Sequence, residues 1–168
     1  AERQLIEPAD QLGLQPGPGV GGHCIACDPW FIVASAPEQA RLIRTAREVN
    51  DGKPEWVLAK VEAALAAFDQ PRPPVVACYG LAFKPDIDDL RDSPALMIAR
   101  RIVADGRCIP RVVEPYIDAL PAALEGARLV SAEEAAQADI HVLLVDHAAF
   151  KALRAPTGVS IDTRGAWQ

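Results

Sequence analysis

The pattern of hydrophobic and polar positions changes character near residue 70. Over residues 37–69, apolar side chains recur at a spacing of three or four, which predicts α-helices. Residues 50–54, with the sequence Asn-Asp-Gly-Lys-Pro, interrupt this pattern, and we expect them to divide the region into two helices. Further upstream, Asp28 is followed by Pro29 and an apolar run, which predicts a short helix with Asp28 as its N-cap.

Beyond residue 70, short apolar runs alternate with helical segments. The runs predict five β-strands, which cover residues 75–80, 108–113, 127–130, 140–145 and 159–162. Helices are predicted over residues 94–104 with Ser93 as the N-cap, around residues 118–124, and after a capping box at residues 131–134. Pro110 would place the second strand at a sheet edge. This alternation predicts an open parallel, Rossmann-like α/β sheet with right-handed crossovers.

A proline-rich stretch, DQPRPP at residues 69–74, separates the two regions. It predicts a boundary between a mainly helical part, residues 1–70, and an α/β part, residues 71–168. A chain of 168 residues is long enough for one domain, or for one domain and part of another. Residues 1–12 carry no start signal, so we expect a cut end there.

The composition narrows the class of protein. Hydrophobic residues make up 50% and charged residues 24%, and the net charge of −6 disfavours nucleic acids and anionic membranes as partners. No apolar run approaches the ~20 residues of a membrane span, and no signal peptide opens the chain. The four cysteines are too few for a disulfide scaffold, and Cys78 and Cys108 lie in apolar runs that predict buried thiols. We therefore expect a cytoplasmic protein.

The most distinctive stretch of the sequence is rich in glycine. Four glycines fall within residues 17–22, which we call the glycine loop. Without side chains, its backbone can approach a ligand closely and its N–H groups can hold an anion. Cys24, a candidate nucleophile, follows directly, and Asp28, a candidate general base or helix cap, lies four residues later. This combination predicts a reaction site; the alternative is a linker rich in glycine and proline.

Cys24 and Cys27 also form a Cys-x-x-Cys pair, which leaves a zinc or redox role open as a further alternative. One such pair indicates zinc only weakly, because a structural zinc site needs four ligands. A thioredoxin-type motif would follow a strand and open a helix, whereas glycines precede this pair. We therefore predict no metal site.

Clusters that contain polar residues follow three of the predicted strands. They are Phe83, Lys84 and Arg91 after the first strand, Asp146 and His147 after the fourth, and Asp162, Thr163 and Arg164 after the last. Ligands of open α/β sheets bind at the rim where strands end. Lys84 and Arg91 suit a phosphate or carboxylate ligand, and the alternative is salt bridges to the nearby aspartates. No Gly-x-Gly-x-x-Gly follows a strand, so the dinucleotide fingerprint is missing.

Residues 17–33, GPGVGGHCIACDPWFIV, resemble the UDP-glucose/GDP-mannose dehydrogenase family, and within it the branch of UDP-N-acetyl-mannosamine dehydrogenases. Further segments agree with that branch in the same order, at residues 40–50, 80–85, 87–91, 145–147 and 162–165. The resemblance therefore covers nearly the whole chain.

Members of this family consist of an NAD-binding Rossmann domain, a helical central region that dimerises, and a C-terminal domain that binds the nucleotide sugar. By this resemblance, the chain corresponds to the end of the central region and the whole UDP-binding domain, without the NAD-binding fingerprint. The resemblance implies a C-terminal fragment of a homodimer that acts in polysaccharide biosynthesis. The alternative, from a different class, is a non-catalytic UDP-sugar-binding module.

The family oxidises the C6 alcohol of a nucleotide sugar to a carboxylate with two NAD⁺, and the branch implies UDP-N-acetylmannosamine as substrate. By position, Cys24 matches the nucleophile that holds the aldehyde as a thiohemiacetal and then as a thioester, and Asp28 matches the family's acid. The residues that match substrate contacts are Gly17, Gly19, Val20, Gly21, Phe83, Lys84 and Arg164. Those that match NAD contacts are Cys24, Cys27 and Arg91.

Two positions depart from the family pattern. Many relatives carry Lys or Val at the position of Cys27. The branch also places a basic residue 14–16 positions before the cysteine, where this chain has Pro8 and Asp10. The cross-subunit substrate contact expected there therefore lacks its basic side chain.

Overall fold

The computed structural model describes residues 17–154 and 156–167. Its helices are α1 (Asp28–Ser35), α2 (Arg41–Ala66), α3 (Pro94–Asp105), α4 (Ala132–Ala135) and α5 (Ala148–Lys151). Its strands are β1 (Val75–Tyr79), β2 (Ile109–Val113), β3 (Arg128–Leu129), β4 (Ile140–Leu143) and β5 (Val159–Asp162). A short 3₁₀ turn covers Ala122–Leu124.

The five strands form one parallel sheet in the order β3-β2-β1-β4-β5, with β1 at its centre. Along β1, side chains alternate between the two faces of the sheet. Val76 and Cys78 belong to one hydrophobic core, and Ala77 and Tyr79 belong to a second core on the other face. Both faces are therefore covered, as a parallel sheet requires. The predicted open parallel α/β sheet is confirmed.

β2 is an interior strand, so the prediction that Pro110 places it at an edge was wrong. N–H groups point alternately to either side along a strand, and the Ile109 N–H donates to the Pro74 carbonyl, on the β1 side, at 2.8 Å. The nitrogen of Pro110 therefore points toward β3. Because pairing with β3 begins only at Arg111, the missing N–H costs the sheet no hydrogen bond.

A single helix, α2, runs through residues 50–54, so the predicted break was wrong. Pro54 lies inside this helix, where proline costs roughly 3 kcal/mol because it lacks an N–H. The same stretch of helix buries Val57 and Val61 in the core on one face of the sheet. Burial of a valine contributes about 1.5–3 kcal/mol, so the two together outweigh the cost of the proline.

Two other predicted helix features were wrong. α1 begins at Asp28 itself and has no side-chain cap, so Asp28 lies in the first turn, where the helix dipole favours a carboxylate. Of the helix expected around residues 118–124, only the 3₁₀ turn forms. Pro121 accounts for this, because a proline disfavours the helical conformation at the residue before it.

Both predicted serine caps are confirmed. Ser93 Oγ accepts a hydrogen bond from the Leu96 N–H at 3.2 Å at the start of α3. Ser131 Oγ accepts one from the Glu134 N–H at 3.1 Å at the start of α4. These caps fix the points at which both helices leave the preceding loops.

The predicted burial of Cys78 is confirmed as well, and burial raises the pKa of its thiol to about 12. Cys108 is half-buried, and burial raises its pKa to about 11. Neither thiol is therefore ionised at neutral pH. Among the helices of the described residues, none combines the length and the hydrophobicity that a membrane crossing would need.

Candidate functional site

The predicted substrate residues meet at the rim where the parallel strands end. The β1 loop, which we define as residues 80–93, follows β1, and shorter loops follow β4 and β5. The glycine loop reaches the same rim. One cavity of about 160 Å³ at this rim collects five residues predicted to contact substrate, namely Gly19, Val20, Phe83, Lys84 and Arg164.

A second rim cavity adjoins the first. Its volume is about 600 Å³, which is in the range of small-molecule sites. Gly17 and Arg164 line it on one side, and Lys53 and Trp56 of α2 line it on the other. Three of its residues, Gly19, Val20 and Arg164, also line the smaller cavity, so the two cavities form one continuous concave surface along the glycine loop.

At two glycines of the glycine loop, close neighbours leave no room for a side chain. A Cβ on Gly17 would meet the guanidinium group of Arg164. A Cβ on Gly22 would lie 2.9 Å from the Phe83 ring, and Gly22 has a φ of 100°, which favours glycine. The glycines therefore allow the loop to lie directly against two predicted substrate residues.

One residue of α2 binds the glycine loop through both ends of its side-chain amide. The Val20 N–H donates to Asn50 Oδ1 at 2.7 Å, and Asn50 Nδ2 donates to the Val20 carbonyl at 3.1 Å. Pro54 leaves the backbone carbonyl of Asn50 without its helical partner. That oxygen lies 3.5 Å from the position that a Cβ on Gly19 would take. No role was predicted for Asn50, because its partner is 30 residues away in the sequence.

Arg164 is fixed at the rim by a carboxylate. Its Nε lies 2.6 Å from Asp146 Oδ1, and Lys151 Nζ lies 3.1 Å from the other carboxylate oxygen. Burial alone would raise the pKa of Asp146, but Lys151 and Arg164 outweigh burial, and the pKa of Asp146 lies below its ordinary value. The Asp146 carboxylate therefore bridges both cations and fixes the position of the Arg164 guanidinium group.

The two other predicted cations differ in their surroundings. Lys84 is exposed, with its Nζ 5.6 Å from the centre of the Phe83 ring. Arg91 pairs with Asp89 at 2.6 Å, as the salt-bridge alternative predicts. Hydrogen bonds from Arg91 lower the pKa of Asp89 to about 2, and the charge of nearby His23 adds to this lowering. Arg91 thus lies on the cysteine side of the rim with its charge already paired.

The candidate nucleophile lies in an exposed turn before α1. The Cys24 carbonyl accepts hydrogen bonds from the N–H groups of Cys27 at 3.0 Å and Asp28 at 2.8 Å. Cys24 Sγ lies 3.7 Å from His23 Nδ1, and both thiols are exposed. An imidazole beside a thiol can take up its proton. Neither cysteine lines a rim cavity, and the same is true of Gly21, Asp28 and Arg91.

Two buried residues lie beneath the β1 loop: Glu114, which was not predicted, and His147, which was expected at the rim but lines neither rim cavity. Glu114 follows β2 directly, and its side chain contacts that of His147 at 3.1 Å. Both side chains are completely buried. An acidic residue directly after a strand is the signal by which Glu114 would have been found, since such residues bind ligands in Rossmann folds.

The turn after β1 does not fit NAD. In dinucleotide-binding folds this turn holds a phosphate, but here the N–H groups of Leu81 and Ala82 bind Glu114. The described residues also hold no group of three His, Cys, Asp or Glu placed for a metal ion. Pro8 and Asp10, which depart from the family pattern, lie outside the described residues.

Two family models match the sequence. The UDP binding domain of the UDP-glucose/GDP-mannose dehydrogenase family matches residues 77–168. The central domain of the same family matches residues 6–52. The first match alone covers more than half of the 168 residues.

Curated relatives and solved structures agree with these matches. The chain is 60% identical to NDP-N-acetyl-D-galactosaminuronic acid dehydrogenase from Ralstonia solanacearum, over 92% of this chain and 37% of that protein. It is 55% identical to UDP-N-acetyl-D-mannosamine dehydrogenase from Salmonella typhi, over 92% of this chain and 39% of that protein. The fold matches UDP-D-ManNAc dehydrogenase from Pyrococcus horikoshii with a TM-score of 0.74 and 31% identity, over 91% of this chain and 37% of that one. The chain thus spans less than two fifths of the length of these relatives.

Proposed function

The chain belongs to the UDP-glucose/GDP-mannose dehydrogenase family, and we propose that it is the UDP-sugar-binding part of an NAD-dependent nucleotide-sugar 6-dehydrogenase. The observation that carries this proposal is the rim cavity shared by the glycine loop, Phe83, Lys84 and Arg164. These segments are far apart in the sequence. A bare backbone, an aromatic ring and two cations suit a nucleoside diphosphate, whose phosphates bind cations and N–H groups.

We place the oxidised carbon of the sugar at Cys24. Loss of a first hydride converts the C6 alcohol to an aldehyde, and the Cys24 sulfur attacks the aldehyde carbon to give a thiohemiacetal. Loss of a second hydride leaves a thioester, which water hydrolyses to the acid with release of the thiol. His23 Nδ1, 3.7 Å from Sγ, takes the thiol proton. Asp28, in the first turn of α1, holds the attacking water as general base.

NAD, when bound, supplies the oxidising power of both steps by accepting hydride. We propose Arg91 as a cation for its phosphates and the turn from Cys24 to Cys27 as the border of its nicotinamide. Support for Arg91 comes from its salt-bridge partner Asp89, whose pKa the charge of nearby His23 helps to lower, which indicates that this pair lies toward the cysteine turn. To bind a phosphate, Arg91 has to exchange its bond to Asp89 for one to the ligand.

For the sugar, we propose an N-acetylated hexosamine, with UDP-N-acetylmannosamine as the first substrate to test. The relative at 55% identity is named for N-acetyl-D-mannosamine, and the one at 60% for N-acetyl-D-galactosaminuronic acid. Both names share the N-acetyl group. Rates with UDP-N-acetylmannosamine and UDP-N-acetylgalactosamine, measured on a full-length protein that contains this chain, distinguish the two sugars.

We also propose a homodimer through α2. Leu42, Val49 and Trp56 recur every seven residues along this helix and are 81%, 61% and 57% exposed. Phe31 of the adjacent α1 is 70% exposed. An apolar stripe of this kind indicates an interface. Leu42→Asp should shift the sedimentation behaviour from dimer to monomer, and a dimer that persists would exclude this face.

The division of the chain at residues 70 and 71 stays a proposal. We assign residues 1–70 to the central domain and residues 71–168 to the UDP-binding domain. The second half of α2 contributes Val57 and Val61 to the core of the sheet. The two parts therefore share a core, and cutting the chain at this boundary would uncover it.

A calorimetric titration of UDP tests the binding proposal. Lys84→Ala and Arg164→Ala should each weaken UDP binding about tenfold or more, because a charge-assisted hydrogen bond contributes about 1.5–3 kcal/mol. Arg107→Ala and Arg128→Ala are matched controls, since both cations are exposed and line neither rim cavity. If the two rim variants bind UDP as tightly as the wild type, the assignment is wrong.

The catalytic part of the proposal has its own test. We expect the 168-residue chain by itself to form no NADH, because no Gly-x-Gly-x-x-Gly follows a strand. NADH formation by the purified chain would contradict this expectation. A full-length protein that binds UDP-sugars yet forms no NADH with any of them would instead support the non-catalytic module.

A further inference from the structure

A buried polar network lies beneath the β1 loop. The side chains of Glu114 and His147 are completely buried, with Glu114 Oε2 3.1 Å from His147 Nε2. Neither residue lines a rim cavity, and the proposed reaction uses neither. Burying a carboxylate is costly unless hydrogen bonds satisfy it. The partners of Glu114 therefore indicate what the network is for.

Glu114 binds the backbone at the start of the β1 loop. Its Oε2 accepts hydrogen bonds from the N–H groups of Leu81 at 2.7 Å and Ala82 at 3.3 Å, and its Oε1 accepts one from Tyr116 at 3.2 Å. Burial alone would raise the pKa of Glu114, but hydrogen bonds from His147 and Leu81 outweigh burial and lower it. Glu114 is therefore a buried anion.

The position of this anion is informative. In dinucleotide-binding sheets, the N–H groups after the first strand hold a phosphate of the ligand. Here Gly80 makes the corresponding turn with a φ of 88°, and a Cβ on it would meet Val145. The N–H groups that follow hold Glu114 instead. The chain supplies its own anion, so the conformation of this loop does not depend on a ligand.

His147 binds the far end of the same segment. Its Nδ1 accepts a hydrogen bond from the Asp86 N–H at 2.9 Å, so the proton of the neutral ring is on Nε2, which donates to Glu114. Asp86 has a φ of 61°, which is uncommon for a residue other than glycine. Its carboxylate accepts hydrogen bonds from the Tyr116 hydroxyl at 2.8 Å and the Ala148 N–H at 2.9 Å, which hold that conformation.

We propose that Glu114 and His147 are positioning residues for the nucleotide. Glu114 fixes the backbone at Leu81 and Ala82, His147 fixes it at Asp86, and the segment between them carries Phe83 and Lys84. Neither residue touches the ligand; each acts through the β1 loop. This inference rests on the proposed UDP site, because it assigns the network a purpose only if Lys84 binds UDP.

The first test compares two isosteric substitutions. Glu114→Gln keeps the shape but turns one acceptor oxygen into a donor, so at least one N–H group loses its partner. UDP binding to the 168-residue chain should weaken about fivefold to tenfold in calorimetry, and no more than in Lys84→Ala. Glu125→Gln, at an exposed glutamate outside the network, is the control and should bind as the wild type does.

A double-mutant cycle separates positioning from a merely structural role. If Glu114 acts through Lys84, adding Glu114→Gln to Lys84→Ala should change the UDP dissociation constant by less than about twofold. Independent effects that multiply would overturn the inference, and so would a folded Glu114→Gln variant that binds UDP like the wild type. A wild-type chain that binds no UDP would overturn the proposed function itself.

The wild-type chain offers a test that needs no variant, should Glu114→Gln fail to fold. Nitrogen chemical shifts should show the His147 ring protonated at Nε2 and not at Nδ1, and the amide protons of Leu81 and Asp86 should exchange slowly. The opposite tautomer, or rapid exchange at both amides, would contradict the network.

Discussion

The β1 loop and the glycine loop line the same cavity, yet they are held in different ways. Two buried side chains, Glu114 and His147, hold the β1 loop by accepting hydrogen bonds from its backbone. The glycine loop is held through its backbone, because the N–H and carbonyl groups of Val20 bind the side chain of Asn50 on a neighbouring helix. Its shape comes from glycines that allow close contact with their neighbours.

This difference separates two tasks. The β1 loop, which carries Lys84, is fixed within the α/β sheet that also supplies Arg164. The glycine loop leads to the exposed Cys24, and it takes its position from α2, the helix whose apolar stripe we propose as the dimer interface. Binding of the nucleotide should therefore depend more on the sheet than on α2, whereas placement of the reacting thiol should depend on α2.

The largest effect is expected where the exposed segment carries the chemistry. In a full-length protein that contains this chain, Cys24→Ser should abolish acid formation, since a hydroxyl is a poorer nucleophile than a thiol. Binding of the UDP-sugar should stay within about twofold, because the sheet provides it. Uronic acid production and calorimetry measure the two separately. Wild-type production by Cys24→Ser would remove Cys24 from the mechanism.

The next prediction tests whether the shape of the glycine loop requires glycine, which has no side chain, at close contacts. A Cβ on Gly21 would meet the carbonyl oxygen of Asp92 in the β1 loop. Gly21→Ala should lower the free energy of unfolding in urea by about 1–3 kcal/mol.

Gly52→Ala is the matched control, because nothing lies within 4 Å of the added methyl group and Gly52 is inside α2. This change should instead stabilise the chain by about 0.5–1 kcal/mol. Equal effects of the two substitutions would contradict the close contact between the loops.

A smaller effect is expected from the anchor on α2. Asn50→Ala removes both hydrogen bonds to Val20 and should weaken UDP binding about threefold to tenfold. It should also speed hydrogen exchange at the Val20 amide while leaving Leu81 unchanged. Glu48→Ala, at an exposed position on the same helix, controls for a general effect on α2. An unchanged exchange rate at Val20 would show that the loop holds its position without Asn50.

The smallest effect concerns the pH dependence of stability, which should arise in the sheet and not in the glycine loop. Burial lowers the pKa of His141 in β4 below its ordinary value of 6.5. The unfolded chain therefore binds the proton first as the pH falls through 6.5, and stability is lost below that pH.

Urea unfolding between pH 7.5 and about 5.5 measures this loss, which amounts to ~1.4 kcal/mol for each unit of the pKa difference. His141→Gln should flatten the dependence, whereas His23→Gln, at an exposed residue, should leave it unchanged. A dependence that follows His23 would contradict the assignment.

Much of the fold could be predicted because its signals are local. Apolar runs marked all five strands, and Ser93 and Ser131 marked two helix starts. The failures arose where tertiary contacts outweigh a local preference. Pro54 stays within α2 because the helix packs on the sheet, and Pro110 fits an interior strand because its neighbour begins one residue later.

The part of the candidate site that could be predicted consists of residues that lie in the glycine loop or directly after strands. Phe83, Lys84 and Arg164 meet the glycine loop as strand order requires. Asn50 and Glu114 were missed because each binds backbone groups about 30 residues away in the sequence. Hydrogen bonds to backbone place no demand on the identity of the partner residue, so no sequence pattern reveals the role of Asn50. For Glu114, the available signal was its place directly after a strand.

Amide chemical shifts recorded on a titration with UDP test most directly whether both loops form one nucleotide site. We expect shifts to change in the glycine loop, at Phe83 and Lys84, and at Arg164 and Gly165, with little change at Tyr79 and Trp167 on the other face of the sheet. Changes confined to one of the two loops, or centred on the face that carries Trp167, would contradict the shared site.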